Sequence, residues 1–266
     1  MGARVAGLHV YPVKSCGGID LDHAEVDGLG IRHDRRWMIV DRRGRFLSQR
    51  TVPLLATIRV ALGHERLVLT APGLPALDLP AISTRGTTEP VTVWRDTVEA
   101  LPMGKEAEEW LTSLLGFPAR LVRMAPEHRR PAKRDPAGTN PRISFADAYS
   151  FLVISRESLD ELNARLDDPL PMNRFRPNIV LEGAGPFAED GWIRVRIGPI
   201  ELDMAGPCAR CATTMTDQET GARGVEPLRT LATFRREGAE VMFGQNANHR
   251  GTGQIAVGMP VEVLGR

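Results

Sequence analysis

Cys208-Ala209-Arg210-Cys211 holds two of the three cysteines in a 266-residue chain. A C-x-x-C spacing serves three chemistries: dithiol redox exchange, zinc binding, and thiolate ligation of another metal. A thioredoxin-like dithiol needs its cysteines at the start of a helix in a βαβ unit. Residues 212–216, rich in threonine, predict an extended segment instead, which disfavours redox exchange. Structural zinc needs four ligands, and no second C-x-x-C or His pair at ligand spacing is present; a site would have to gather Cys16, Cys208, Cys211 and one of the six histidines. Spacing alone is best explained by two small hydrophobes packed in a core. Arg210 beside Cys211 points the other way, because a neighbouring cation favours the thiolate that binds metals.

The chain around this motif is an ordinary globular one. Hydrophobic residues make up 42% and charged residues 25%, which excludes a disordered or fibrous protein. The formal net charge of +1 supplies no global field toward nucleic acid or an anionic membrane, so any anion site must be local. No apolar run reaches membrane-spanning length, and Met1 to Gly7 lacks the apolar region of a signal peptide. Cytoplasmic residence, with no nucleic-acid or membrane partner, is the expectation. Three cysteines are too few for a disulfide scaffold.

Short apolar runs between turn signals dominate the first hundred residues and read as strands. Residues 37–40 and 46–47 flank a turn containing Gly44; 57–62 and 66–70 flank Gly63-His64-Glu65; 91–94 and 97–100 flank Arg95-Asp96. An N-terminal barrel or sandwich follows. From Gly104 the period becomes helical, with Ala107, Trp110, Leu111, Leu114 and Leu115 on one face and Gly116 at the C-cap. Residues 126–141, with His128, Arg129, Arg130, Lys133 and Arg134, read as a solvated loop and as the one concentrated basic segment on which an acidic partner could dock. Next come a buried strand at 151–154, an N-cap at Ser155, and a helix with Leu159, Leu162 and Leu166 on one face. Strands resume at 178–181, 193–197 and 200–204. Pro227 opens a helix carrying Leu228, Leu231 and Phe234, and strands at 254–257 and 260–264 close the chain.

Three motifs together give the chain a family likeness: Tyr11-Pro12-Val13-Lys14-Ser15-Cys16, Asn173-Arg174-Phe175-Arg176-Pro177-Asn178-Ile179-Val180, and the cysteine pair. With Asp34-Arg35-Arg36-Trp37, Ser48-Gln49-Arg50, Phe145-Ala146-Asp147, Asp217-Gln218-Glu219-Thr220-Gly221, Glu226-Pro227-Leu228 and Phe243-Gly244-Gln245 they run across nearly the whole sequence. In these motifs the chain resembles the MOSC-domain molybdenum-cofactor reductases, the family of the mitochondrial amidoxime-reducing component and its bacterial relatives.

The resemblance implies a mainly β fold with peripheral helices (α+β), divided into an N-terminal MOSC β-barrel domain at 1–102 and a MOSC domain, also a β-barrel, at 103–266. It implies a molybdenum-molybdopterin cofactor (Moco) whose metal takes its one protein ligand from Cys211. By motif position Lys14, Ser15, Arg35 and Arg176 would contact the pterin phosphate. Lysine would act there as a point charge, arginine as a bidentate donor and serine as a neutral one. Asp147 would lie near the pterin nitrogens, or would instead cap the turn before the strand at 151. The implied reaction is reduction of small N-hydroxylated compounds, namely amidoximes, hydroxylamines and N-hydroxylated bases, with oxygen removed at the metal. The chain has no iron–sulfur cysteine set and no flavin or nicotinamide motif, so electrons are expected from a separate flavodoxin-, ferredoxin- or cytochrome b5-like donor. Two other functions fit the same motifs: a cofactor carrier or sensor without turnover, and a sulfur-transfer protein bearing a persulfide on Cys208 or Cys211.

Overall fold

In a computed structural model the chain is described at residues 2–63, 65–82, 87–128 and 130–266. His64 and Arg129, singled out above, lie outside the described residues. Strands dominate, with three short α-helices among the described residues on their flanks. The largest sheet runs in the order Val261–Gly265, Arg194–Ile197, Ile200–Ala209, Glu240–Arg250, Phe151–Ser155, Ile179–Glu182, Arg4–Val10, Ile19–Leu21. Its first six strands come from the second half of the chain and its last two from the first twenty-one residues. Another sheet also joins the halves, as Gly253–Ala256 pairs with His23–Asp27.

Phe151–Ser155 and Ile179–Glu182 are parallel, so the chain between them must cross over. Helix Arg156–Asn163 makes that crossing; Ser155 Oγ accepts from the Ser158 amide, and Leu159 and Leu162 turn into a core with Phe175 and Phe243. Leu166 lies beyond the helix end. Gly244 is required by close approach: its φ is 78°, and a Cβ there would stand 2.6 Å from Ile154 Cγ1.

Trp37–Asp41, Ala119–Met124, Asp96–Pro102 and Glu89–Val93 form a second sheet, against which helix Lys105–Leu115 buries Ala107, Trp110 and Leu111. Gly116, at φ 75°, ends this helix with its amide on Thr112 O. This helix and the strand Ala119–Met124, which both follow residue 102, therefore pack with elements that precede it.

Four local expectations change. Residues 212–215 form one turn of 3-10 helix rather than a strand, because Cys211 O accepts from both the Thr214 amide and its hydroxyl, a local alternative open to threonine. Helix Leu228–Leu231 stops before Phe234. The third hairpin turns at Trp94-Arg95, one residue earlier than the pattern suggested, with Asp96 paired to Val93. The proline-rich segment 126–141 is not a free solvated loop. Ala132 N donates to Pro141 O, Lys133 N to Ala148 O, and Asn248 Nδ2 to Arg134 O.

Arg130 anchors that segment. It is 4% exposed, pairs with Asp96 at 2.6 Å, and donates to the carbonyls of Ser144, Ala146 and Asp147. This burial removes it from the docking role that the basic cluster suggested. Arg130→Met should lower stability by about 2–3 kcal/mol, read as a shift in denaturant midpoint at unchanged slope: Asp96 can rehydrate, but the carbonyls cannot. A shift within about 0.5 kcal/mol would show that the anchor contributes nothing.

Candidate active site

One cleft of about 1150 Å³ gathers Lys14, Ser15, Arg35, Asp147, Arg176 and Cys211. Strand Arg4–Val10 delivers the first of them. Past its end, Lys14 N donates to Trp37 O, and Cys16 N donates back to Val13 O in a turn that needs Ser15 at φ 71°. Arg35 and Arg176 also have left-handed backbones, at φ 49° and 57°. Such conformations are costly for non-glycine residues and mark positions that the surrounding fold over-determines.

The two guanidiniums share one support. Arg35 Cζ lies 4.5 Å, and Arg176 Cζ 4.3 Å, from the centroid of the buried Tyr11 ring. Tyr11 OH donates to Pro177 O, and burial raises its phenol to about 12, so the ring is a neutral platform. Arg35 is ion-paired with Asp34 and donates to Asn178 Oδ1. Among the described residues Arg176 pairs with no carboxylate; it donates to Cys16 O at 2.6 Å and to Gln218 Oε1 at 3.2 Å. Burial, and then repulsion from Arg35, lower it to about 10, which leaves it charged at neutral pH. A half-buried guanidinium with no carboxylate partner among the described residues, next to a second cation, is suited to an oxyanion.

Lys14 and Asp147 meet as a pair. Lys14 Nζ donates to Asp147 Oδ1 and, at 2.8 Å, to Phe145 O; Trp94 Nε1 also donates to Asp147 Oδ1, at 3.0 Å. Desolvation would raise the Asp147 carboxyl, but Lys14, Trp94 and Arg50 outweigh it and hold it well below the usual range. Burial lowers the Lys14 ammonium and Asp147 opposes that. We take the pair as charged, since both acceptors on Nζ suit an ammonium. Lys14 therefore reaches the cleft partly neutralised.

Strand Ile200–Ala209 carries the cysteines to the cleft. Two register shifts against Glu240–Arg250, at Met204/Gly206 and Pro207/Ala209, accommodate Pro207 and bend the strand end. Cys211 then stands at the N-cap of the 3-10 turn. The neighbour in sequence is not its polar partner: Arg210 Nη1 donates to Cys208 Sγ at 3.0 Å, whereas Cys211 Sγ accepts from Arg50 Nε at 3.2 Å. Arg50 stacks on Trp94, its Cζ 4.4 Å from the ring centroid, and its carbonyl accepts from Arg223. Gln49 and Gln218 exchange reciprocal amide bonds of 3.0 Å, tying this segment to the floor under Arg176.

Sequence reasoning gave Arg50 and Trp94 no role. Trp94 stands at φ 58° in a two-residue turn with no glycine, asparagine or aspartate, a conformation that the sequence, read with its turn at Arg95-Asp96, did not signal. Nothing in the spacing reveals that Arg50 reaches a thiol 161 residues away. Among the described residues no three His, Cys, Asp or Glu side chains gather as a metal cluster. The cleft lining has nine Arg and Lys side chains against four carboxylates, in a chain of net charge +1. Among the described residues no helix is long and apolar enough to cross a membrane.

Fold and site define a β protein in two interlocked parts, with a thiol and an uncompensated guanidinium facing one cationic cleft. Residues 2–118 match the MOSC N-terminal beta barrel domain and residues 140–262 the MOSC domain. The chain belongs to the MOSC family. It is 34% identical over 282 residues to mitochondrial amidoxime-reducing component 1 of Mus musculus, which covers 98% of this chain and 82% of that protein. The Homo sapiens protein of the same name is 34% identical over 281 residues, 98% and 83% of the two chains. Molybdenum cofactor sulfurase of Oryza sativa subsp. japonica is 31% identical over 267 residues, covering 92% of this chain and 32% of that protein.

The third cysteine, Cys16, is fully buried, and burial pushes its thiol up to about 12. Iodoacetamide should label two thiols in the native cofactor-free protein at pH 8 and a third only after denaturation, counted by intact mass. The sign for stability follows. The unfolded thiol ionises near 9 and the folded one near 12, so this group favours unfolding as pH rises between those values. Three labels on the native protein would contradict the burial.

Proposed function

We propose that the chain binds a molybdenum-molybdopterin cofactor and reduces N-hydroxylated compounds. The observation that carries this reading is the convergence on one cleft of the Cys211 thiol and the Arg35 and Arg176 guanidiniums. The residues present fit the group. Cys211 offers the single protein sulfur, Arg176 the main charge for a phosphate, and Arg35, Ser15 and Lys14 stand beside it. Asp147 Oδ1 is already engaged, which leaves its second oxygen to accept from pterin nitrogens. A volume near 1150 Å³ exceeds that of many single-ligand pockets and leaves room for a substrate.

When bound, the cofactor supplies the two-electron redox chemistry. The net conversion is R–NH–OH + 2 e⁻ + 2 H⁺ → R–NH₂ + H₂O, with electrons from a separate flavodoxin-, ferredoxin- or cytochrome b5-like protein. Arg50 orients the Cys211 sulfur through its 3.2 Å hydrogen bond, and Trp94 restrains Arg50 by stacking. A carrier without turnover is the second reading, prompted by the likeness to a cofactor sulfurase.

Cys211→Ala should lose molybdenum and the reduction of benzamidoxime by a supplied low-potential donor, while Cys208→Ala keeps much of both. Molybdenum without turnover in the unmodified protein would favour the carrier. Zinc in place of molybdenum, with equal loss in both variants, would falsify the ligand assignment. Arg176→Ala should weaken cofactor retention about 10- to 100-fold, the equivalent of one charge-assisted contact, before stability changes. Full pterin fluorescence in this variant after dialysis would remove Arg176 from the cradle.

A further inference from the structure

The cleft carries more positive charge than a cofactor phosphate would use. Of its nine cationic side chains, Lys14, Arg35 and Arg130 are paired with Asp147, Asp34 and Asp96. Arg176 faces the phosphate position, Arg50 is held on Cys211 and Trp94, and Arg210 on Cys208 and Phe175 O. Arg95, Lys133 and Arg134 remain. All three line the cleft, are exposed, and make no ion pair among the described residues.

Two of them adjoin segments that lead to the cysteines. Arg95 adjoins Trp94, whose ring supports the arginine that reaches Cys211. A guanidinium nitrogen of Arg134 lies 3.3 Å from where a Cβ on Gly206 would stand, two residues before Cys208. The backbone bonds of Lys133 N to Ala148 O and of Asn248 Nδ2 to Arg134 O keep this lip in place. Two carboxylates without an ion pair among the described residues also line the cleft, Glu237 and Glu240, both on the hairpin that begins at Arg236–Glu237. The mouth thus has a cationic lip and an acidic one. An acidic protein surface broad enough to cover it would be repelled by the second lip, whereas a small anion can settle on the first alone.

We propose that Arg95, Lys133 and Arg134 determine substrate specificity by selecting N-hydroxylated substrates that also bear a carboxylate or phosphate group. This rests on the reductase reading above. Unpaired charge on the wall of a cleft focuses the field and raises local anion concentration, an effect that salt screens over roughly 8–10 Å.

The test compares benzamidoxime with its 4-carboxy and 4-phosphate derivatives, using the cofactor-loaded protein and reduced methyl viologen. At low ionic strength kcat/KM should favour an anionic derivative by about tenfold or more, mostly through KM, and the ratio should shrink with added salt. The two derivatives distinguish carboxylate from phosphate as the preferred group. Combined Arg95→Gln, Lys133→Gln and Arg134→Gln should bring the ratio near one; Glu237→Gln with Glu240→Gln should raise it. Benzamidoxime reduced as well as both derivatives would overturn the inference and leave the reductase reading standing. If none is reduced, both fall. A defect in the triple variant confined to electrons delivered by an acidic redox protein would also overturn it, making the lip a dock for that protein.

Discussion

The antiparallel pairing of Arg4–Val10 with Ile179–Glu182 is the constraint on which the site depends. It sets Tyr11 to Ser15 beside Arg176 to Asn178, segments about 160 residues apart in the chain. Asn178, 1% exposed, fastens the junction: His9 N donates to its carbonyl, its side-chain nitrogen donates to His9 O, and its side-chain oxygen accepts from Leu152 N and Arg35. A buried amide with both ends satisfied costs little and tolerates few rearrangements. This cationic wall of the cleft is thus assembled by backbone ladder bonds and one side chain.

Local strain is concentrated where this constraint holds it. Ser15, Arg35, Trp94 and Arg176 all line the cleft and all have left-handed backbones. Each such conformation costs on the order of 1–3 kcal/mol and persists only where neighbours over-determine it. Those neighbours are visible: Gln49 on Ser15 O, Tyr11 O on Arg35 N, and Asn173 O on Arg176 N. The arrangement trades backbone comfort for side chains that point to one place before any ligand arrives.

Electrostatics follow the same local logic. A net charge of +1 hides a cleft in which cations outnumber carboxylates, and the aromatic rings keep those cations apart and in position. Tyr11 holds two guanidiniums and Trp94 holds a third. Stacking of this kind fixes a charge without neutralising it, which an ion pair cannot do. Lys14 shows the contrast, since Asp147 both positions it and cancels most of its charge.

Much of this protein was legible in its sequence. Alternating apolar residues and turn signals disclosed most of the strands, Gly116 the end of the longest helix, and Ser155 the start of another, because these features are decided within a few residues. The same local reach explains the motifs whose order matched a family. Contacts were another matter. Threonines at 213, 214 and 216 suggested a strand, yet a carbonyl one turn back captured the Thr214 hydroxyl. Arg210 stood next to Cys211 in sequence but its guanidinium serves Cys208, while Arg50, from a turn in the first half of the chain, takes its place. The basic cluster read as solvent-facing, and Lys133 and Arg134 are exposed, but Arg130 is buried under three carbonyls. Residue type and spacing determined which chemistry the chain could offer; the tertiary structure alone decided which charge meets which thiol, because strand pairing across the two halves sets those distances and no local rule encodes it.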